Sequence, residues 1–328
     1  MWIIKMKISK SWRYFFFFIL LMVSVVWLAV VYSPSPALKI VNCDVGQGDA
    51  AIVIYKTTQI VIDGGPNNEI LECISNHIPF WDRSIEMVIL SHPQKDHFQG
   101  LIEVVKRFDV ANFLGTELDS STPDYRVLKE LLKQKDVAVV NPRSGMKLRV
   151  GMIYLDIVWP QSEFLAQYTE EIKNQGNEEQ EGQGNEIPKN KKTGVLGAFT
   201  SKRDPNDFSV VVIVKYGDFQ ALFTGDIGPE INNQLTVNPL IKNLEYIKVP
   251  HHGSKNGLTE KLLNAVNPSI AVISAGKGNS YGHPHEEVLE MLMDYGDLPA
   301  GRQVKILRTD EMGDVVIESN GEKVWMRK

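Results

Sequence analysis

The chain has 328 residues, 43% hydrophobic and 23% charged, ordinary for a globular protein and long enough for one large domain or two small ones. Its net charge of −5 hides an asymmetry, because residues 1–32 carry Lys5, Lys7, Lys10 and Arg13 and no acid, leaving −9 on the rest (−5 less those four positive charges). That remainder repels a polyanion unless a basic patch or a bound metal reverses the field locally; with only Cys43 and Cys73, a disulfide scaffold and a Cys-rich zinc module are excluded, and a single disulfide is left undecided.

In chain order, the uncharged stretch Tyr14–Tyr32 comes first and spans about 28 Å as a helix, enough for a bilayer core. We read 1–13 as a basic cytoplasmic tail and 14–32 as an uncleaved single-pass anchor. The alternative is a signal peptide and secretion, for which Ser35-Pro36-Ala37 is a poor cleavage site. The positive flank leaves the N-terminus inside and everything after Ser33 on the extracytoplasmic side. Residues 33–37, rich in proline, form a stiff spacer.

From 38 to 328 strand-like and helical patterns interleave. Strands are expected at Leu38–Val45, Ala50–Tyr55, Gln59–Ile62 and Met87–Leu90, and a helix capped by Asn67 or Asn68 runs through Ile70, Ile74 and His77. A helix pattern resumes at Phe98, followed by Val110–Leu114, helical Tyr125–Gln134, Val137–Val140, and a two-stranded piece Lys147–Val158 bent at Gly151. Between 172 and 193 the composition collapses to Asn, Gln, Glu, Gly and Lys, a flexible insertion. Strands Phe208–Tyr216 and Phe219–Phe223 then form a hairpin over Gly217-Asp218. Strand Tyr246–Val249, helix Leu258–Val266, strand Ile270–Ser274, helix Glu286–Tyr295, a loop at 296–302 and three further strand-like runs complete an α/β chain with mixed sheets.

Four polar loops each follow an apolar run: Asp63-Gly64-Gly65, His92 to His97, Thr224-Gly225-Asp226 and His251-His252-Gly253-Ser254. Convergence of these loops at a sheet edge would gather imidazoles and carboxylates enough for one or two divalent ions. His251 and His252, adjacent at a strand end, should point to opposite faces, so one of them faces the site.

Asp44-Val45-Gly46-Gln47-Gly48-Asp49-Ala50, Ser91-His92-Pro93-x-x-Asp96-His97, Thr224-Gly225-Asp226, His251-His252-Gly253-Ser254 and Tyr281-Gly282-His283-Pro284 resemble, in order and spacing, motifs of the metallo-β-lactamase fold. More narrowly they look like the extracytoplasmic metallo-hydrolase domain of ComEC competence proteins. The resemblance covers about Leu38 to the C-terminus and implies a four-layer αββα sandwich. It implies Asp96, His97 and Asp226 as the catalytic group, and Asp96, His97, Asp226 and one of His251 and His252 as one complete metal site. A further site keeps His92 and a shared Asp226, since Gln94 stands where the family has histidine and no histidine falls near Asn206–Ser209. Gln94 or Asp207 would supply oxygen there. Such an oxygen-richer set shifts preference from Zn²⁺ toward Mn²⁺ or Mg²⁺. Asp63, Gln47, Asp49, Ser254 and His283 are implied as substrate contacts or as supports of the ligands.

A ComEC protein carries many membrane helices that form its DNA channel, whereas this chain has one hydrophobic segment and cannot itself be that channel. The expected activity is a metal-dependent phosphodiesterase acting on DNA, with the membrane, nucleic acid and DNA-uptake channel proteins as partners. Two rivals stand beside it: hydrolysis of another ester, a lactone or a lactam, and a catalytically degenerate binding module of an uptake assembly.

Overall fold

Continuous apolar runs are what strands covered on both faces require, and the computed structural model buries them that way. It describes residues 10–31, 35–167, 194–295 and 303–327. The insertion at 172–193, the loop at 296–302 and the first nine residues of the basic tail lie outside the described residues. The chain forms two compact units, Met1–Ser35 and Pro36–Lys328.

In the first unit, α1 (Lys10–Val31) is a 22-residue helix. By length and composition its Lys10–Leu28 stretch can cross a membrane, with mean hydropathy 1.8 and nothing buried. It starts before the uncharged stretch because Lys10 and Arg13 continue the helix, their long stems letting the charge reach water from an apolar flank.

The second unit begins with β1 (Leu38–Asn42), β2 (Ala50–Tyr55), β3 (Thr58–Gly64), α2 (Glu69–His77), β4 (Ser84–Ile89), α3 (Lys95–Arg107), β5 (Asp109–Leu114), α4 (Pro123–Gln134) and β6 (Ala138–Val140). It continues with β7 (Lys147–Val150), β8 (Ile153–Trp159), β9 (Val211–Tyr216), β10 (Phe219–Phe223), α5 (Pro229–Leu235), β11 (Tyr246–Lys248), α6 (Glu260–Val266) and β12 (Ile270–Ile273). The last elements are α7 (Glu286–Tyr295), β13 (Lys305–Arg308), α8 (Thr309–Met312), β14 (Val315–Ser319) and β15 (Val324–Met326). One sheet has the order β15-β14-β1-β2-β3-β4-β5-β6 and the other β13-β12-β11-β10-β9-β8-β7.

Neighbouring residues on a strand serve different cores. Ile40, Val53, Ile60 and Met87 meet Leu155, Val212, Val214 and Val272 between the sheets. Val41, Ile52, Val61 and Val88 pack outward on Ile70, Phe98, Leu101 and Leu128 of α2, α3 and α4. On the far side Ile213, Leu222 and Ile247 pack on Ile231, Leu262, Leu263 and Val288. The result is helix, sheet, sheet, helix: the four-layer αββα sandwich expected from the motifs.

β1 and β3 both run antiparallel to β2, and β4, β5 and β6 run parallel to β3. In the second sheet β10 to β13 are parallel. The loops that follow β3 and β4 therefore share one edge, as do those after β10, β11 and β12.

Local details differ from the sequence reading for physical reasons. β1 stops at Asn42 because the chain turns at Gly46 (φ +72°), and Cys43 is drawn into a disulfide with Cys73 of α2, Cα atoms 5.8 Å apart. Asn68 holds the N-cap position of α2 without a side-chain bond, while Asn67 Oδ1 accepts the Glu69 N–H at 2.9 Å. α3 starts at Lys95, not Phe98, so Asp96 and His97 lie in its first turn. Gly100 lets that helix approach β3: a Cβ there would stand 2.0 Å from the Gly64 carbonyl oxygen.

Candidate metal centre

β4 delivers the chain to Ser91 and His92, and α3 begins with Gln94 as its extended N-cap residue. In the second sheet Gly225 (φ +55°) turns the chain after β10 in a space where its Cβ would stand 2.8 Å from that of Ser209 and 2.9 Å from that of Ser91. The Asp226 N–H donates to Ser209 Oγ at 3.2 Å. His251 and His252 do not alternate along a strand as expected. Both adopt left-handed backbone (φ 52° and 55°) in the turn Pro250–Gly253, a conformation uncommon for residues other than glycine. His252 is buried among carboxylates, and His251 lines the cleft outside.

Asp96, His97, Asp226 and His252 each turn one ligand-type atom toward the others, all within 4.8 Å. Asp226 Oδ2 lies 3.3 Å from His97 Nε2 and 3.3 Å from His252 Nε2, and Asp96 Oδ2 lies 3.4 Å from His252 Nε2. The loops converge from two sheets rather than one: Asp96 and His97 from the first, Asp226 and His252 from the second.

The far side of each ring is fixed by an acceptor. His97 Nδ1–H donates to Asp63 Oδ2 (2.9 Å), and His252 Nδ1–H points between Asp49 Oδ1 (3.1 Å) and the Ser274 carbonyl (3.2 Å). That sets the tautomer and turns each Nε2 lone pair into the group. Nε2 of His92, His97 and His252 and Oδ1 of Asp226 are buried with no hydrogen-bond partner among the described residues. Buried polar atoms without partners are costly and rare. Three of them, on His97, His252 and Asp226, belong to the group of two imidazoles and two carboxylates, a donor set that suits one four-coordinate divalent cation. His92 stands beside this group, its ring 4.2 Å from that of His97 and its Nδ1 3.0 Å from Ser91 Oγ.

Electrostatics support the same set. Burial disfavours charge on His97, but Asp226, Asp63 and Asp96 outweigh it and raise its pKa well above the usual value. Burial likewise opposes His252, and Asp226 and Asp49 raise it. Asp226 is held well below the carboxylate range by His252 and His97 despite its burial. His92 is pushed down to about 3 by burial and by His97, so it stays neutral.

The supporting residues divide clearly. Asp63 accepts from the Ser91 N–H and Oγ–H, both at 2.7 Å, as well as from His97. Asp49, also buried, is gripped by Lys248 Nζ at 2.7 Å, which with His252 keeps it ionised against the pull of burial. Gln47 spans the cleft wall, accepting the Gly276 N–H and reaching His283 Nδ1 at 3.3 Å. Ser254 is buried and turns back to the Asn256 N–H of its own loop. Asp207 does not join the group. Its carboxylate pairs with Arg203 at 2.5 Å, and Trp159 Nε1–H binds its carbonyl. Gln94 lines the cleft.

Sequence reasoning passed over Lys248, Ser91, Ser209 and Ser274. The signal for Lys248 was available, since a lysine inside the apolar run Tyr246–Val249 needs a buried anion. The serines gave none. The group opens into a cleft of about 390 Å³ whose rim includes Gln47, Lys95, His251, Tyr281 and His283.

The family model for the metallo-beta-lactamase superfamily matches residues 43–277. The chain belongs to the metallo-beta-lactamase superfamily. It carries a domain of that metallo-hydrolase superfamily, whose fold implies divalent metal ions. This superfamily member is similar to ComE operon protein 3 of Bacillus subtilis (strain 168), with 24% identity over 291 residues, 83% of this chain and 32% of that protein. It is also similar to Recombination protein 2 of Haemophilus influenzae, with 23% identity over 267 residues, 80% and 27% of the two chains. Competence protein ComA of Neisseria gonorrhoeae is 36% identical over 112 residues, 34% of this chain and 15% of that one. These relatives agree with the resemblance to ComEC-type competence proteins, and the chain spans about a third of their length or less. Among solved structures, the metallo-beta-lactamase fold protein YhfI from Bacillus subtilis aligns with TM-score 0.48 and 9% identity, covering 88% of this chain and 99% of that one.

Proposed function

We propose that this chain is a membrane-tethered, extracytoplasmic phosphodiesterase that acts on DNA. The observation that carries the proposal is the buried Asp96–His97–Asp226–His252 group on the floor of an open cleft, in a chain similar over most of its length to competence proteins. Held by these four residues, a divalent cation (Mn²⁺, Zn²⁺ or Mg²⁺, with His92 and Gln94 beside it for a second) would lower the pKa of water and polarise a phosphoryl oxygen. Asp63 and Asp49 fix the two imidazoles by their Nδ1 atoms, so the lone pairs face inward before any substrate arrives. His283, brought down to about 4 by burial and the neighbouring histidines, offers the cleft a neutral hydrogen-bonding ring. Tyr281 stacks on it at 5.8 Å and is exposed, a surface on which a nucleobase can lie, with Lys95 near for a phosphate.

The Cys43–Cys73 disulfide supports the extracytoplasmic side, because such bonds persist in oxidising compartments. The basic flank of α1 supports the same sidedness. A second reading, hydrolysis of an uncharged ester, lactone or lactam, is favoured by the acid surplus outside the first 32 residues. Purified full chain is loaded with Mn²⁺, Zn²⁺ or Mg²⁺ and tested on single- and double-stranded DNA and on lactam and lactone substrates. DNA cleavage that Asp226→Ala abolishes is expected. Cleavage of the small substrates alone would replace the DNA reading, and bound metal without any turnover would make the domain a binding module.

A further inference from the structure

We propose that the outer face of the second sheet, over β7, β8 and the end of β9, binds a DNA strand with unpaired bases, Lys147 and Arg149 taking phosphates and Tyr154 a base. The proposal rests on reading the chain as one that acts on DNA, and it places a binding surface away from the cleft.

The alternation of the strands builds this face. Leu148, Val150, Leu155 and Ile157 turn into the space between the sheets, so Lys147, Arg149, Tyr154 and Asp156 turn outward. The register sets Lys147 beside Asp156, Arg149 beside Tyr154, and Tyr154 beside Lys215. Toward the metal centre the same face is apolar, Val158, Val211 and Ile213 joining the core beneath the helices. Away from it the apolar residues give way to cations around a ring. They line a groove of about 510 Å³ with Leu148, Met152 and Gly217.

The chemistry of the face selects its occupant. Tyr154 is 43% exposed, and the Arg149 guanidinium lies over its ring at 5.3 Å while Nε–H donates to the Gly151 carbonyl at 2.9 Å. Rings and guanidinium planes are the surfaces on which unpaired bases stack, and flanking cations track the phosphates. Of the two carboxylates on these strands and their turns, Asp156 is buried and held by Lys215 Nζ at 3.1 Å, and Asp218 stands in the turn after β9. Lys147 and Arg149 are exposed and pair with no carboxylate among the described residues. A positive groove in a domain with surplus acid is where a polyanion meets least repulsion. Cations on an edge strand such as β7 also keep it from pairing with another chain, but that role needs no exposed ring beneath a guanidinium. Ser209, whose Oγ lies 3.3 Å from His92 Nδ1, is joined to Lys215 by about 20 Å of strand. That is roughly six nucleotides at 3.4 Å each, so a strand held here is within reach of the cleft.

The test measures binding of a labelled single strand of about 20 nucleotides to the full chain in uncharged detergent, with chelator, across about 50 to 200 mM salt. Lys147→Gln with Arg149→Gln should weaken binding about tenfold and flatten the slope of log affinity against log salt by about 1.4, roughly 0.7 for each phosphate. Metal content and thermal midpoint should not change. Tyr154→Ser should weaken binding about tenfold with the salt slope kept; unchanged affinity there overturns the base-bearing strand. Unchanged affinity and slope in the double variant overturn the surface, and self-association as its only effect makes the cations edge protection instead. Competition by polyglutamate as strong as by unlabelled DNA overturns the assignment in favour of an acidic protein. Binding that depends on these residues without cleavage under any metal supports the surface and overturns the phosphodiesterase reading. Cleavage with binding indifferent to them does the reverse.

Discussion

A divalent cation held by the proposed group would compete with a proton for Nε2 of His97 and of His252. Burial lowers both pKa values and the surrounding carboxylates more than reverse this, so both folded-state values stand above 6.5. A cation must therefore displace protons at neutral pH, and its affinity should rise with pH and weaken as pH falls. Calorimetry in two buffers of different ionisation enthalpy would show proton release on binding; no release would reject the assignment of both imidazoles. Asp96→Ala and His97→Ala should each remove most of the bound metal in elemental analysis, because four ligands become three. Gln94→Ala should remove far less, since Gln94 lies outside the four-residue group; equal loss in all three would make Gln94 a ligand.

Two elements carry the site on tight packing. Gly100→Ala would put a methyl into the Gly64 carbonyl, forcing α3 off β3 and displacing Asp96 and His97 with it. A loss of about 1–3 kcal/mol of stability is expected for such overpacking, with metal content falling in parallel; an unchanged denaturation midpoint would refute this close contact. Removing the Cys43–Cys73 link, which closes a separation of 30 residues, should cost roughly 3–4 kcal/mol in the chain-entropy account, and Cys43→Ser and Cys73→Ser should behave alike. The elements themselves were legible because strands buried on both faces read as apolar runs, and because Asp, His and Gly cluster where those runs stop. What the sequence hid was set by tertiary context. Nothing local tells that His251 and His252 sit in left-handed backbone, that Cys43 reaches Cys73, or that Asp207 faces Arg203 instead of the cleft. Lys248 shows the opposite case, a buried charge whose need for a partner could have been read and was not.

At the scale of the whole molecule, sidedness has a direct measurement. In intact cells Cys43 and Cys73 should resist alkylation until a reductant is added, and protease applied to spheroplasts should digest the domain. Free thiols and full protection would place it in the cytoplasm instead. The sandwich also has a seam, and the four-residue group straddles it: two members come from the chain before residue 100 and two from the chain after residue 220. A cation held there would act as a rivet across the seam, beside the Lys248–Asp49 pair and the Tyr246–Asn42 hydrogen bond that also cross it. By mass action, a ligand at 100 times its dissociation constant adds about 2.7 kcal/mol to folding. Starving cells of the metal would then do more than silence the cleft, because the unriveted domain is the form that proteases find open.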